Sequence, residues 1–168
     1  MLRFFAPSAP SPARIVVMDA LDREILSLLQ DDGRMSATHL ASQVGLSLSA
    51  CHRRLKELEQ SGAIERYRAV VAPAAVGLTF EAIVFVTIGR TDKDTIVAFE
   101  EAVVAIPAVV EAQRLFGDPD YMLRILTRDM GAYQELYDNT LGALPGVQRL
   151  TSTMVMKRLG ADRAVPIP

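Results

Sequence analysis

Ser36-Ala37-Thr38-His39-Leu40-Ala41-Ser42-Gln43-Val44-Gly45-Leu46-Ser47-Leu48-Ser49-Ala50-Cys51-His52-Arg53-Arg54-Leu55-Lys56 is the stretch on which the fold turns. Ser36 has the side chain to cap a helix, and Leu40, Ala41 and Val44 then recur at helical spacing to form the inward face of a short one. Gly45-Leu46-Ser47 is a turn. A second helix follows, with Leu48, Cys51, Leu55 and Leu58 three, four and three residues apart and Ser61-Gly62 as its stop. Its other face carries Ser47, Ser49, Ala50, His52, Arg53, Arg54 and Lys56. These are small, hydrogen-bonding or cationic side chains, the types that approach base edges and phosphates.

Upstream, Leu21, Ile25, Leu28 and Leu29 share one helical face, with Asp19, Asp22 and Glu24 at the end where the helix dipole favours negative charge. Asp32-Gly33 ends that helix. Three short helices with a glycine-containing turn between the second and third form a helix-turn-helix, whose last helix enters the major groove of duplex DNA. An ordinary solvated helix face would also carry charge; the short helix and turn before it weigh against so bland a reading. Downstream, Ile64 to Val71 alternates like a strand or ribbon, with Arg66 and Arg68 on one side and Tyr67 on the other. These two arginines join the candidate DNA-contacting set, making the first domain a winged helix-turn-helix. Pro73 and Gly77 mark a hinge.

Beyond the hinge the period changes. Ala82-Ile83-Val84-Phe85-Val86-Thr87-Ile88 reads as a strand apolar on both faces, within a strand expected over 81–90. Ile96, Phe99 and Val103 line a helix. Strands are expected over 109–116 and 121–127, joined by Gly117-Asp118-Pro119-Asp120, a connection rich in turn residues. Met130, Tyr133, Tyr137, Leu141 and Leu144 mark a second helix stopped by Pro145-Gly146, and 147–157 is the last strand. The order βαββαβ predicts a ferredoxin-like α+β domain: a four-stranded antiparallel sheet with both helices on one face. Either Ile83, Phe85 and Thr87 or Ala82, Val84 and Val86 must then face away from the helices. Neither set is polar enough for water, which predicts self-association through that face. The expected division is an extension over 1–17, the DNA-binding domain over 18–63, ribbon and hinge over 64–80, the α+β domain over 81–158 and a tail over 159–168.

The chain of 168 residues is half hydrophobic, with a mean hydropathy of +0.21, and has room for two small domains. Its formal net charge of −2 does not favour nucleic acid, but charge is local. Over 47–72, Arg53, Arg54, Lys56, Arg66 and Arg68 stand against Glu57, Glu59 and Glu65. A single cysteine, Cys51, excludes an internal disulfide framework and fits a reducing cytoplasm, where a nucleoid-associated protein works. No apolar run reaches membrane-spanning length. Pro7, Pro10 and Pro12 interrupt the basic extension, and Met18 begins the patterned part. Catalysis finds no support. Cys51 and His52 are adjacent on a helix and point about 100° apart, so they form no dyad. No Cys/His/carboxylate set has metal-ligand spacing, and no glycine-rich phosphate loop occurs, so no cofactor or metal is expected. The competing reading is an allosteric interaction module whose first domain binds protein, not DNA.

Leu21-Asp22-Arg23-Glu24-Ile25-Leu26, Asp32-Gly33-Arg34, Val44-Gly45-Leu46-Ser47, Arg54-Leu55 with Leu58-Glu59, Gly62-Ala63-Ile64, Gly117-Asp118-Pro119-Asp120-Tyr121 and Leu144-Pro145-Gly146-Val147 follow one another in the order that resembles the Lrp/AsnC (feast/famine) family of prokaryotic transcription regulators, over residues 18–158. The resemblance implies a C-terminal domain of the RAM type, a dimer built through it, assembly into tetramers or octamers, and an amino-acid effector near the 117–121 loop that alters DNA binding or assembly. Glu57 departs from the pattern, in which a basic residue is common. Chemistry gives that loop a parallel account. Asp118 or Asp120 would accept from the ammonium group of a free amino acid, and backbone N–H groups or Thr151, Ser152 and Thr153 would donate to its carboxylate. Gly117 and Pro119 complete the candidate effector set, whereas Tyr121 reads as a packing residue.

Overall fold

In the computed structural model, which describes residues 17–160 and 163–168, the first helix, α1 (Ala20–Asp31), opens on a reciprocal cap. The Asp22 N–H donates to Asp19 Oδ1 at 2.9 Å and the Asp19 N–H to Asp22 Oδ2 at 3.2 Å, so two of the helix-end donors are satisfied within one turn. The expected extension falls on residues that, apart from Val17, lie outside the described ones. α2 (Ala37–Gln43) is capped by Ser36, whose Oγ accepts from the His39 N–H at 3.2 Å. Gly45 takes a left-handed φ of 66°, which a side chain would resist, and this lets the chain turn sharply into α3 (Leu48–Gln60). Ile25, Leu40, Ala41, Val44, Cys51 and Leu58 close a common core beneath the three helices. Cys51 is wholly buried, as a small hydrophobe would be.

The chain divides into two compact units, one running to Val70 and regaining 160–168, the other spanning Val71–Leu159. Where the alternation over 64–71 predicts a ribbon, the structure has no ladder. A strand exists only against a second strand, and among the described residues none pairs with 65–72. The hinge contains a short 3₁₀ turn, Pro73–Val76, ending on Gly77.

In the second unit, β1 (Phe80–Ile88), β2 (Val109–Arg114), β3 (Tyr121–Thr127) and β4 (Val147–Met154) form a four-stranded sheet in the order β2-β3-β1-β4 with antiparallel neighbours, and α4 (Lys93–Val104) and α5 (Met130–Asn139) follow β1 and β3 in the chain. Val84 lies opposite both Leu123 and Ser152, which sets the register on either side. The ambiguity of β1 is resolved. Ala82, Val84, Val86 and Ile88 are buried with Phe99, Val103, Tyr133 and Leu141, while Ile83, Phe85 and Thr87 are half-buried on the opposite face. α5 stops earlier than its apolar pattern predicts. Leu141 instead reaches the core from a 3₁₀ turn, Leu141–Ala143, since a turn can present a leucine as well as a helix can.

On the outer face, Glu81 accepts from Arg124 Nε at 2.8 Å and Arg158 Nε at 2.7 Å, with Arg124 Nη1 also 3.6 Å from Glu111. Burial raises the Glu81 pKa, but the two arginines outweigh it and hold the carboxyl below its ordinary range.

Candidate nucleic-acid interface and effector loop

The candidate interface is built on the first two turns of α3. Ser47, whose Oγ accepts from the Ala50 N–H at 3.3 Å, caps the helix and lies 3.2 Å from the Ser49 hydroxyl. Ser49, His52, Arg53 and Lys56 are exposed. Their numbers run i, i+3, i+4, i+7, so they form one continuous stripe opposite the apolar one. Ala50 is half-buried at its edge. Arg53 Nη1 bonds Glu57 Oε1 at 2.9 Å, but both side chains are more than half exposed, so a phosphate can compete for the guanidinium. Arg66 and Arg68 are exposed in the irregular segment after the helices, and the Tyr67 hydroxyl between them donates to Glu59 at 3.2 Å.

Arg54 is placed differently from the rest of the sequence-predicted set. Its Nη1 lies 2.7 Å from Asp19 Oδ2 and 2.7 Å from Asp22 Oδ1, and only 19% of its side chain is exposed. The guanidinium is thereby engaged with the capping pair of α1, and it ties α3 to the start of that helix. The Asp19 carboxyl is held below its ordinary range, first by the Asp22 N–H and then, against some desolvation, by Arg54. Sequence reasoning grouped Arg54 with its neighbours by charge. The stripe spacing from Ser49, which selects 52, 53 and 56 and omits 54, is the signal that separates them.

In the second unit the β2–β3 connection is braced. The Asp120 N–H donates to Val86 O at 3.0 Å, the Leu115 N–H to Asp120 O at 2.7 Å, and Asp120 Oδ2 accepts from the Ile88 N–H at 2.7 Å. Gly117 has a φ of 142°, open to glycine alone, and the Asp118-Pro119 peptide is cis. Asp118 is exposed, with Arg149 Nη2 at 3.3 Å and Thr87 Oγ1 at 3.5 Å from its Oδ1. The two aspartates therefore differ: one oxygen of Asp120 is committed to backbone, whereas Asp118 faces solvent beside a cation. The three β4 hydroxyls divide as well. Thr151 and Thr153 pair with Phe85 and Ile83 on the outer face, while Ser152 lies on the helix side and accepts from the Tyr133 hydroxyl at 2.5 Å. Arg149 and Thr87, absent from the sequence-derived set, stand with Asp118. Arg149 was reachable, because it lies one pleat from Thr151 on the same strand. Tyr121 is a packing residue: its ring lies 4.6 Å from that of Phe99 and its hydroxyl donates to Glu100 at 2.8 Å. Burial first, and then Glu100, push that phenol up to about 12.

Among the described residues no cluster of ligating side chains could hold a metal ion, and no helix is long and apolar enough to cross a membrane.

Comparison with known proteins gives the same division of labour. Residues 18–65 match the family model for winged helix-turn-helix DNA-binding domains, and residues 81–165 match that for the Lrp/AsnC ligand binding domain. The Bkd operon transcriptional regulator of Pseudomonas aeruginosa is 36% identical over 150 residues, 89% of this chain and 98% of the relative. The leucine-responsive regulatory protein of Escherichia coli K12 is 36% identical over 142 residues, 84% of this chain and 87% of the relative. A transcriptional regulator of Neisseria meningitidis, solved as a complex with L-Met, superposes with a TM-score of 0.84 at 35% identity, covering 89% of this chain and 97% of the other. With a winged helix-turn-helix match in one unit and an Lrp/AsnC ligand binding domain match in the other, the chain belongs to the Lrp/AsnC family of DNA-binding transcriptional regulators.

Proposed function

We propose that this regulator reads duplex DNA through the start of α3 and changes its binding or assembly when the second unit takes up an amino acid. The observation that carries the first half is the exposed stripe Ser49, His52, Arg53 and Lys56 on a helix capped by Ser47. Ser47, Ser49, Ala50 and His52 are the base-edge candidates; Arg53, Lys56, Arg66 and Arg68 answer to phosphates. Arg54 acts through the position of α3, not on DNA directly. The outer sheet face, with Ile83 and Phe85 half-buried in a single chain, supports a dimer whose two reading helices meet major grooves about one turn, roughly 34–36 Å, apart. Tetramers or octamers would extend the same association, and the setting is the cytoplasm, on the chromosome.

For the effector, Asp118 supplies the ammonium acceptor and Arg149 the carboxylate donor, with Thr151 and the Gly117–Pro119 backbone beside them. Asp120 holds the loop to β1. The relatives named for leucine and solved with L-Met support the amino-acid class. Reciprocal linkage requires that whichever assembly the effector favours must in turn favour the effector by the same factor.

The test is calorimetry with the twenty amino acids, paired with light scattering and with binding to genomic DNA fragments. One or a few amino acids should bind and shift either oligomer size or DNA affinity. Asp118→Ala should remove that response and leave unliganded DNA binding intact. Absence of binding by every amino acid, or a response indifferent to Asp118, rejects the sensing half.

A further inference from the structure

The last six residues, Arg163-Ala164-Val165-Pro166-Ile167-Pro168, belong to the DNA-binding unit although the chain reaches them from the second one. They border a cleft of about 710 Å³ that is also lined by Leu26 and Leu29 of α1 and by Ile64, Tyr67 and Val70 of the following segment. The fastening is specific in form. Gln30, in the last turn of α1, donates from Nε2 to Val165 O at 3.1 Å and accepts the Val165 N–H on Oε1 at 2.5 Å. A side-chain amide that engages both backbone groups of one residue does what a neighbouring β-strand would do. It selects extended backbone, not a side chain.

We infer that the surface of α1 beside this cleft is a peptide-docking site for the chain's own 163–168 segment, which walls the cleft and is clamped by Gln30, and that the docked segment is a second connection between the two units, covalent to the sensing unit and held by hydrogen bonds to the reading unit. The tail's composition fits this seat. Pro166 and Pro168 fix φ near the extended value before docking, which lowers the entropy lost on ordering, and neither carries an N–H that would be left unpaired. Ile167 is half-buried, so the apolar contribution enters there, whereas the Val165 side chain is exposed and its backbone is what is held. A chain tied at one point swings over a volume set by its linker; a second tie shortens that reach and raises the effective concentration of one geometry. The consequence for DNA rests on the proposed reading of DNA through α3: a tied unit should discriminate more sharply between half-site spacings.

Three versions of the full protein test this: the wild type, Gln30→Ala, and a chain ending at Leu159. In the wild type the Val165 amide should be protected from hydrogen exchange, and Gln30→Ala should speed its exchange by about tenfold or more. Methyl resonances of Leu26, Leu29 and Ile64 should shift in the shortened chain and return when an acetylated 163–168 hexapeptide is titrated in. Exchange at Val165 that is unprotected and indifferent to Gln30 overturns the docking. Co-expressing the shortened chain with Gln30→Ala asks whose tail is bound, since only a tail from a second copy could then meet an intact clamp. Restored protection at a concentration where an equal amount of free hexapeptide leaves the clamp empty overturns the in-chain assignment; continued loss there supports it. Finally, the ratio of affinities for two operators whose half-site spacing differs by five base pairs should fall about threefold in the shortened chain. An unchanged ratio with a docked tail overturns the tie while leaving the docking itself standing.

Discussion

Ser47 has two roles in this structure that a pair of substitutions can separate. It caps α3 through its hydroxyl, and it stands at the end of that helix proposed to meet DNA. Ser47→Ala removes the acceptor for the Ala50 N–H. The site is exposed, so water partly replaces the bond, and the expected loss is about 1 kcal/mol. For a small unit that corresponds to a fall in Tm of roughly 4–8 °C. Ser47→Asp keeps the cap, because a carboxylate accepts from the same N–H as well as a hydroxyl does, and the helix dipole adds roughly 0.3–1 kcal/mol in its favour. The aspartate variant should therefore be at least as stable as the wild type.

On DNA the order reverses. At the mouth of the groove, where Ser47 is proposed to approach the base edges, the added charge would also lie within reach of the flanking phosphates. At a separation of about 6 Å and an effective dielectric of roughly 40, the repulsion from one phosphate is about 1.4 kcal/mol, a factor of about ten in affinity. The proposed dimer would carry the charge twice, so the loss should approach about a hundredfold and grow as salt is lowered. Ser47→Ala, once allowance is made for its unfolded fraction, should lose far less. Thermal unfolding and fluorescence anisotropy across a salt series measure both halves. A stable Ser47→Asp protein with undiminished affinity at low salt would refute the placement of this helix end against DNA.

Arg54→Met should lower the Tm of the DNA-binding unit and weaken DNA binding by a similar factor at every salt concentration. Lys56→Ala should instead reduce the log-log salt slope by about one per chain; a reduced slope for Arg54→Met would restore Arg54 to the phosphate-contacting set. At the outer sheet face, Glu81→Gln should cost about 1–3 kcal/mol at neutral pH, because two guanidinium groups lose a half-buried ionised partner. The folded carboxyl titrates below its ordinary value of 4.5, so its contribution is complete above that pH and disappears as the pH falls through the lower folded value. Urea unfolding of both proteins from pH 7 down to pH 3 should show the two curves converge in acid; a constant offset would contradict the assignment.

What was legible in the sequence was what short-range chemistry decides. Ser36 and the Asp32-Gly33 stop act within one helical turn, and the strand over 121–127 falls at its expected limits because turn residues flank it closely. β1 shows where pattern ends. Both of its faces are apolar, and only the register against Leu123 on one face and Arg124 on the other tells which of them meets the helices. The ribbon over 64–71 is a related case, since its alternation is local but a strand's existence depends on a partner. Arg54, Asp120 and the C-terminal tail share a deeper reason. Arg54 meets Asp22 across 32 positions, Asp120 meets the Ile88 N–H across 32, and Gln30 meets Val165 across 135. Residue type is the same whether a carboxylate holds a ligand or a backbone amide; only tertiary placement distinguishes them.

Those long-range pairings also account for how an acidic chain can present a DNA-binding face. Asp19 and Asp22 count against DNA in any sum over the first unit, yet Arg54, paired with both, offsets one of their two charges on the α1 side of α3. Glu57, the departure from the family pattern, is paired with Arg53 at the surface, where the pair is weak and exchangeable. If Arg53 meets a phosphate as proposed, Glu57 would be released to solvent and Lys56 would stand one turn away, so the acidic residue would lower affinity without closing the site. Because the net charge near α3 is small, non-specific attraction should be modest, and in the proposed dimer the gain from placing two reading helices together would be a large share of the binding energy. On the proposed reading, an effector that changed assembly alone would switch such a regulator, since a change in the spacing of the helices would be enough to move its affinity.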